Sequence, residues 1–274
     1  MKKTFTALSF LLIGNILLFI SCAKTGPIGP EGQNGANGLT GPAGPALYGI
    51  ITGNVIMTNQ YGTSVTNAYV NGYILLKNST TGARIDSVVA NGTTGQYTID
   101  SVPSGTYSMY CTYAGYGLNV HQNVQVVGGT LLIDNKISAI PNFNVTTAYD
   151  SIGTTKKNNT LLYIAGTIAP DLNGARTILI FAGTTSATSS APEYYSFLTT
   201  KVIPQDSLNY SLTIPIATIF ANGFSLGSSV YFAIYGASNN YTYGAYSDYT
   251  YGQIVYTAIS ATSVNPTPNG ITLP

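Results

Sequence analysis

Residues 96–113 read QYTIDSVPSGTYSMYCTY and carry the clearest fold signal in the chain. Side chains alternate between the two faces of a strand, so every second residue from position 107 onward shares one face. The members of that face are apolar or aromatic: Tyr107, Met109, Cys111 and Tyr113. Before them, Pro103 presets the backbone for a turn and Gly105 permits a positive φ, so residues 102–107 are predicted to connect two strands. The stretch therefore predicts paired strands with one buried face, and Cys111 is predicted to be a buried thiol.

Short β-branched and aromatic runs separated by Gly, Asn, Ser and Thr turns continue on both sides, and no stretch keeps a period of 3.6 residues. The strands predicted before Pro141 are Tyr48–Met57, Ala68–Lys77, Ala83–Ala90, Gln96–Asp100, Thr106–Tyr113, Leu118–Val127 and Thr130–Ser138. Those predicted after it are Asn144–Tyr149, Leu161–Ala169, Arg176–Gly183, Tyr194–Ile203, Leu208–Ile214, Ser229–Ala237 and Gln253–Ser260, with one helical turn in Ile214–Asn222. We predict an all-β protein with two β-sandwich domains, residues 47–140 and 141–274, the second of immunoglobulin-like size.

A series of short motifs in the first predicted domain points to a known family. In order, they are Gly53-Asn54-Val55, Gly95-Gln96-Tyr97, Val102-Pro103-Ser104-Gly105-Thr106-Tyr107, Gly115-Tyr116 and Val124-Gln125-Val126. This order resembles the carboxypeptidase regulatory-like domain, a seven-stranded prealbumin-like sandwich common in secreted bacterial proteins. The resemblance covers about a third of the chain, and Thr94 stands where the family often has Asp. It implies a prealbumin-like fold for residues 47–140 and no zinc site, because the metal of zinc carboxypeptidases belongs to a different domain.

Composition excludes several classes of function. The 274 residues include 10 Lys and Arg, 9 Asp and Glu and one His, too few clustered cations for nucleic acid. With one His, two Cys and two Glu, the parts for a metal site or an acid–base pair are scarce, so we expect no cofactor, no metal and no catalysis. His121 alternates with Asn119, Asn123 and Gln125 and is expected to be solvated. A hydrolase with an unrecognised Ser or Asp site is the alternative.

The first 22 residues predict export. Lys2 and Lys3 precede an apolar run that is short for a membrane span, as in a secretory signal. Phe19-Ile20-Ser21-Cys22 resembles the lipobox of bacterial lipoproteins. The resemblance implies that residues 1–21 are a cleaved signal peptide, that Cys22 is acylated with fatty acids such as palmitate, and that its acyl chains enter the lipid bilayer. Ala23-Lys24 after the Cys implies the outer membrane, with either the periplasmic or the cell-surface face. The alternative is an ordinary signal with an incidental Cys.

A collagen-like tract follows the predicted anchor. Glycine recurs at every third position: Gly26, Gly29, Gly32, Gly35, Gly38, Gly41 and Gly44. Residues 22–46 then form a spacer, extended by polyproline stiffness at about 3.1 Å per residue. The alternative is a short triple helix, since only Gly fits at the crowded axis of three such chains. In that case residues 26–46 make the protein a homotrimer.

Tyrosine is concentrated near the C-terminus. Eight tyrosines lie between positions 231 and 256: Tyr231, Tyr235, Tyr241, Tyr243, Tyr246, Tyr249, Tyr251 and Tyr256. Tyr231, Tyr235 and Tyr256 are expected to pack in the core or on a sheet face. A tyrosine ring also suits stacking on sugars or docking to protein. The predicted ligand contacts are Tyr241, Tyr243, Tyr249 and Tyr251.

Four Asp residues are each followed by Ser and an aliphatic residue, which resembles an O-glycosylation signal of exported Gram-negative proteins. The resemblance implies sugars on Ser87, Ser101, Ser151 and Ser207. The alternative is turn chemistry, because Asp and Ser both bend the backbone at strand ends.

The function predicted from these features is a non-catalytic outer-membrane lipoprotein that presents β-sandwich modules for structural or binding roles at the cell envelope. One alternative is a carbohydrate-binding surface protein that uses the Tyr-rich segment. In either case the partner is a glycan or an envelope protein.

Overall fold

The structure is a computed structural model that describes residues 26, 29, 31, 47–66, 72–155, 158–169, 173–260 and 270–274. The strands of the first module are β1 Tyr48–Thr58, β2 Ser64–Val65, β3 Tyr73–Asn78, β4 Arg84–Val88, β5 Gln96–Pro103, β6 Gly105–Thr112, β7 Asn119–Val126, β8 Gly129–Leu132 and β9 Asn135–Ser138. The second module contains β10 Asn144–Thr155, β11 Asn158–Ala169, β12 Arg176–Gly183, β13 Phe197–Ile203, β14 Asn209–Pro215, helix α1 Ile216–Ala221, β15 Ser229–Ala237, β16 Tyr246–Asp248, β17 Gln253–Val255 and β18 Ile271–Thr272.

The first module is a sandwich of two sheets. One sheet has the antiparallel order β4–β3–β6–β7. In the other, β1 pairs antiparallel with β2 and β5, and parallel with β8 and β9. Alternating side chains from both sheets form one core cluster, which includes the predicted buried face of β6 with Cys111. That prediction is confirmed: Met109 and Cys111 are 0% exposed.

The turn between β5 and β6 differs from the expectation. Gly105 has no positive φ; the left-handed residue is Ser101, with φ +56°, at a bulge where β5 pairs with β1. The Tyr107 hydroxyl closes the turn by donating to the Pro103 carbonyl at 2.6 Å. A Cβ at Gly105 would lie 3.0 Å from that hydroxyl, so close approach rather than backbone freedom favours glycine here.

The predicted strand Thr130–Ser138 is also split. Asp134 interrupts it, since its Oδ1 accepts hydrogen bonds from the Asn54 backbone N–H at 2.9 Å and the Asn54 side chain at 3.1 Å. The two halves, β8 and β9, therefore pair with separate parts of β1.

The second module is a further sandwich. Its sheets have the orders β10–β11–β14 and β13–β12–β15–β18, and a separate hairpin joins β16 to β17. Both sheets and α1 contribute to one core cluster. The predicted strands Arg176–Gly183 and Ser229–Ala237 match β12 and β15 residue for residue. The predicted strand Gln253–Ser260 ends at Val255, because the residues after it cross to the β12–β15 sheet, where Ile259 forms a bridge with Ala237.

The all-β sandwich fold is confirmed, while the position of the domain boundary stays a prediction. Residues 45–274 form one compact unit, and hydrogen bonds join the two modules inside it. Asn239 donates to the carbonyls of Gln60 at 2.9 Å and Tyr61 at 3.2 Å. Ser138 and Ser238, both 0% exposed, share a hydrogen bond between their hydroxyls. The junction therefore holds the second module's Tyr-rich segment in a fixed place beside the first module.

Candidate functional site

Two tyrosines of the Tyr-rich segment, Tyr241 and Tyr256, pack on the outer face of the β12–β15 sheet. All eight residues of β12 are buried, so that strand faces protein on both sides. At the centre of the covered face, the Phe181 ring meets three tyrosines edge-on, with centroid distances of 4.9 Å to Tyr195, 5.5 Å to Tyr235 and 6.1 Å to Tyr256. This aromatic cluster confirms the expected packing of Tyr235 and Tyr256.

The four tyrosines predicted as ligand contacts do not form one surface. Tyr241 is half-buried and packs on Tyr256 at 5.8 Å between ring centroids. Tyr243 is half-buried, and the Lys136 ammonium of the first module lies 5.8 Å from its ring centroid. Tyr249 and Tyr251 are 74% and 53% exposed at the turn of the β16–β17 hairpin. Only the last pair is presented to solvent.

The hairpin is held at both ends. At the turn, Asp248 Oδ1 accepts from the backbone N–H groups of Thr250 at 2.8 Å and Tyr251 at 3.1 Å. At the base, the buried Tyr195 hydroxyl donates to the Ile254 carbonyl at 2.6 Å and accepts from the Ile254 N–H at 3.1 Å. These bonds fix the direction in which Tyr249 projects.

A cleft of about 360 Å³ lies between this hairpin and β7 of the first module. Its lining consists of Val120, His121, Gln122, Val124, Ile133, Ala245, Tyr246, Ser247 and Tyr249. Contacts at the Leu118 carbonyl, next to β7, hold the hairpin segment against the first module. The Thr257 hydroxyl donates to this carbonyl at 2.6 Å, and Gly244, with φ +81°, lies against it. Gln122, Tyr246 and Ser247 are cleft residues that the sequence pattern did not predict.

A bulge in β7 corrects the prediction for His121. Tyr107 pairs with Val124 and Met109 with His121, so Gln122 and Asn123 together oppose one residue of β6. Asn123 takes φ +57° at this bulge. The shift brings His121 onto the side of the sheet that faces the core, opposite buried Met109. His121 is therefore half-buried, not solvated.

Burial is the largest cause of the pKa shifts of His121 and Tyr246, two titratable residues of the cleft. It lowers the pKa of His121, against hydrogen bonds to the Asp134 backbone and the Asn135 side chain that raise it. The pKa of Tyr246 is raised by burial first and then by the neighbouring Asp248 carboxylate and Tyr110. At neutral pH the imidazole is therefore uncharged and the Tyr246 hydroxyl keeps its proton.

The cleft offers groups that suit an uncharged, hydroxyl-rich ring of a ligand. An aromatic ring, an amide and hydroxyls line it, and none of the nine lining residues carries a carboxylate or an amine. Over the described ranges, no group of three or more His, Cys, Asp or Glu side chains is placed to hold a metal ion. The arrangement supplies stacking and hydrogen bonding.

The predicted glycosylation sites differ in their surroundings. Ser87 is half-buried on β4 and accepts a hydrogen bond from the Arg84 guanidinium. The half-buried Ser207 donates to the Asn209 carbonyl at 2.7 Å. Ser101 is exposed at the β5 bulge. Ser151 lies on β10, and its side chain is outside the described part of the structure.

The predicted anchor Cys22 and nearly all of the spacer 22–46 lie outside the described residues. Within the ranges that are described, no helix has the length and hydropathy to cross a membrane.

Comparison with known proteins gives distant structural neighbours only. The sequence matches no protein-family model and no curated protein. A candidate carbohydrate-binding protein of Bacteroides uniformis is 16% identical, with a TM-score of 0.29 over 80% of this chain and 99% of that chain. A DUF3823 family protein of Parabacteroides merdae is 14% identical, with a TM-score of 0.26 over 79% of this chain and 98% of that one. Another DUF3823 family protein of Bacteroides uniformis is 11% identical, with a TM-score of 0.30 over 84% and 100% of the two chains. These neighbours are β-rich, and at such TM-scores they assign no ligand to this chain.

Proposed function

We propose that this chain is a non-catalytic binding protein of the cell envelope and that the cleft between β7 and the β16–β17 hairpin binds carbohydrate. One observation carries the proposal: a tyrosine ring that is 74% exposed, Tyr249, stands at a cleft whose other polar groups are uncharged at neutral pH. A sugar ring presents an apolar C–H face for stacking and hydroxyls for hydrogen bonds. Tyr249 supplies the stacking face, while Gln122 and Ser247 supply donors and acceptors.

The test uses the full mature chain on a glycan array, followed by calorimetric titration of the sugars that bind. Replacing Tyr249 by Ala is expected to weaken binding about tenfold, since an aromatic anchor contributes most of the energy of a small interface. Tyr48→Ala is the matched control: Tyr48 is 58% exposed on β1, outside the cleft. Failure of the wild type to bind any glycan, or unchanged binding by Tyr249→Ala, contradicts the proposal, and release of sugar products contradicts its non-catalytic part.

The second part of the proposal is the anchor. An acylated Cys22 at the outer membrane and a spacer of residues 22–46 would hold the modules away from the bilayer. Fatty-acid labelling in the native host is expected to depend on Cys22 and to persist in Cys111→Ala, which removes the only other Cys. Labelling of Cys22→Ala would contradict it. Protease shaving of intact cells distinguishes the surface face from the periplasmic face, and cross-linking tests a homotrimer through residues 26–46.

For O-glycosylation, the exposed position of Ser101 supports modification there. The Ser87 and Ser207 hydroxyls already hydrogen-bond within the protein, so we expect lower occupancy at both. Site-resolved mass spectrometry of protein from the native host tests this order. A bare lipidated mass would rule out the modification.

A further inference from the structure

A second concave surface lies on the opposite edge of the sheet whose β7 strand forms one wall of the cleft. This groove of about 490 Å³ runs along β3 and β4 and is lined by Tyr73, Leu75, Lys77, Arg84, Ser87 and Val89. Tyr73 and Val89 are 46% and 67% exposed. The groove therefore combines accessible apolar and aromatic surface with two basic side chains, Lys77 and Arg84.

The two cations stand directly across from each other. Lys77 and Arg84 are Cα partners in the β3–β4 pair, where an extra residue in β4 shifts the register. Like charges at directly opposed positions destabilise a sheet. Only 10 of the 274 residues are Lys or Arg, so two in one groove stand out against the rest of the chain. An anion bound in the groove would offset the like charge of this pair.

The present partners of both cations are neutral. The Lys77 ammonium lies 5.2 Å from the centroid of the Tyr110 ring, and the Arg84 guanidinium donates to the Ser87 hydroxyl. The neighbouring acid, Asp86, opposes fully buried Leu76 and does not line the groove. No carboxylate is among the six lining residues, so the guanidinium remains available for the paired hydrogen bonds that it makes to carboxylate or sulfate.

The groove and the cleft are joined across one sheet face. Tyr110 on β6 is the Cα partner of Leu75 in the groove and of Val120 in the cleft. Three inter-strand spacings separate β4 from β7, about 14 Å in all. A ligand that reaches both sites is therefore an oligosaccharide and not a single sugar.

We infer that the ligand of the proposed cleft is an acidic oligosaccharide, with one ring against Tyr249 and a carboxylate or sulfate group between Lys77 and Arg84. The inference rests on the proposed carbohydrate binding and adds the charge of the ligand to it. The juxtaposed cations select the acid group, and the uncharged cleft holds the ring.

Two matched pairs of probes test the charge alone: oligogalacturonate against its methyl ester, and sulfated against unsulfated dextran oligosaccharides. The acid member of at least one pair is expected to bind about tenfold tighter at low salt, because two exposed ion pairs contribute up to about 1 kcal/mol each. The advantage is expected to vanish in the double variant Lys77→Gln/Arg84→Gln and to shrink in high salt. Lys201→Gln on β13 removes one cation outside the groove and is the control, which is expected to keep the advantage. Which pair responds separates carboxylate from sulfate.

Each outcome bears on one of the two proposals or on both. If Tyr249→Ala loses binding while acid and neutral probes bind equally, carbohydrate binding stands and the acidic preference is wrong. The assignment to Lys77 and Arg84 is also wrong if the preference survives in the double variant, whose folding is checked by thermal unfolding. Absence of binding to every glycan overturns both proposals. A sugar found on Ser87 in the native host would fill the groove and would also overturn the inference.

Discussion

The two β-sandwich modules each have a sheet with aromatic residues on its outer face. The two faces differ in how much of each is covered by other parts of the chain. In the second module, Tyr241 and Tyr256 pack over the β12–β15 sheet, where Phe181, Tyr195 and Tyr235 are buried. In the first module, among the residues that the structure describes, the β16–β17 hairpin covers the outer face of β4–β3–β6–β7 where it approaches β7. Tyr73 on β3 stays 46% exposed.

Tyrosine content alone therefore does not mark a binding surface. A ring on a sheet face becomes core when a later segment covers it, and becomes a contact residue when none does. Both cases occur within the same Tyr-rich segment here, since Tyr241 packs in the aromatic cluster while Tyr249 is exposed.

The largest expected effect tests the covered face. Phe181→Ala removes the ring at the centre of the aromatic cluster and is expected to lower the free energy of unfolding by about 3–5 kcal/mol, since the site cannot collapse fully. Tyr249→Ala is expected to change it by less than about 0.5 kcal/mol, as for other exposed positions. Guanidinium titrations of both variants measure the contrast. Equal losses would mean that the two faces do not differ as described.

The next effect tests how the hairpin is seated on the first module. A Cβ at Gly244 would lie 2.5 Å from the Leu118 carbonyl oxygen, at a φ of +81°. Gly244→Ala is expected to cost about 2–3 kcal/mol, because steric overlap adds to the left-handed backbone penalty. Gly252→Ala is the matched control, with φ +68° and open space around it. Its cost is expected to be about 1 kcal/mol from the backbone alone. A reversed order would contradict the close contact at Leu118.

Alkaline pH is expected to affect the two modules in succession. Burial raises the pKa of Cys111 in the first module from 9.0 to about 12 and that of Tyr195 in the second from 10.0 to about 12. Below pH 9 the thiol is protonated in both the folded and the unfolded chain, so its contribution is complete. Above pH 9 only the unfolded thiol ionises, and stability falls by about 1.4 kcal/mol per pH unit until the folded thiol also ionises.

The loss from Tyr195 follows the same sign and begins near pH 10. Unfolding titrations between pH 8 and 11 measure both losses. Cys111→Ala is expected to flatten the slope from pH 9 and Tyr195→Phe only from pH 10. Unchanged slopes in both variants would contradict the burial of these groups.

The smallest expected effect is the acid-side pH dependence of stability caused by His121, on the edge strand β7 beside the β16–β17 hairpin. Its pKa is lowered mainly by burial, so stability is complete above pH 6.5 and declines as pH falls and the unfolded imidazole takes up a proton. His121 is the only His in the chain, so its ring proton titrates alone in the NMR spectrum of tag-free protein. The midpoint is expected below 6.5 and is expected to return toward 6.5 in Gly244→Ala if the hairpin moves away. A wild-type midpoint at or above 6.5 would show that the edge is open.

The alternation of apolar and polar residues, together with the turn residues, predicted most of the strands. The period of two around residues 107–113 predicted the buried face of β6, and turn residues predicted the ends of β12 and β15. The pattern failed at bulges, because one extra residue reverses the faces of all that follow in the strand. Asn123 reverses β7 in this way, and neither it nor Ser101 is a glycine that would have indicated a left-handed backbone.

Sequence patterns predicted only some of the residues of the candidate site. Tyr249 and Tyr251 stood out by composition, but Gln122 precedes them by more than a hundred positions and carries no signal of its own. The groove was likewise hidden, because Lys77 and Arg84 become neighbours only through the register of β3 and β4.

Local sequence was enough to predict most strands, the export and lipidation signals, and the shortage of acid–base groups, since these depend on residue type and short-range spacing. Tertiary packing within the second module decided which tyrosines are core. Contact between the two modules decided how β7 meets the hairpin, and the register of β3 and β4 decided which cations oppose each other. The packing contacts join residues far apart in the chain, so no local pattern encodes them. The β3–β4 pairing is local, but an extra residue in β4 shifts its register and hides which residues oppose each other.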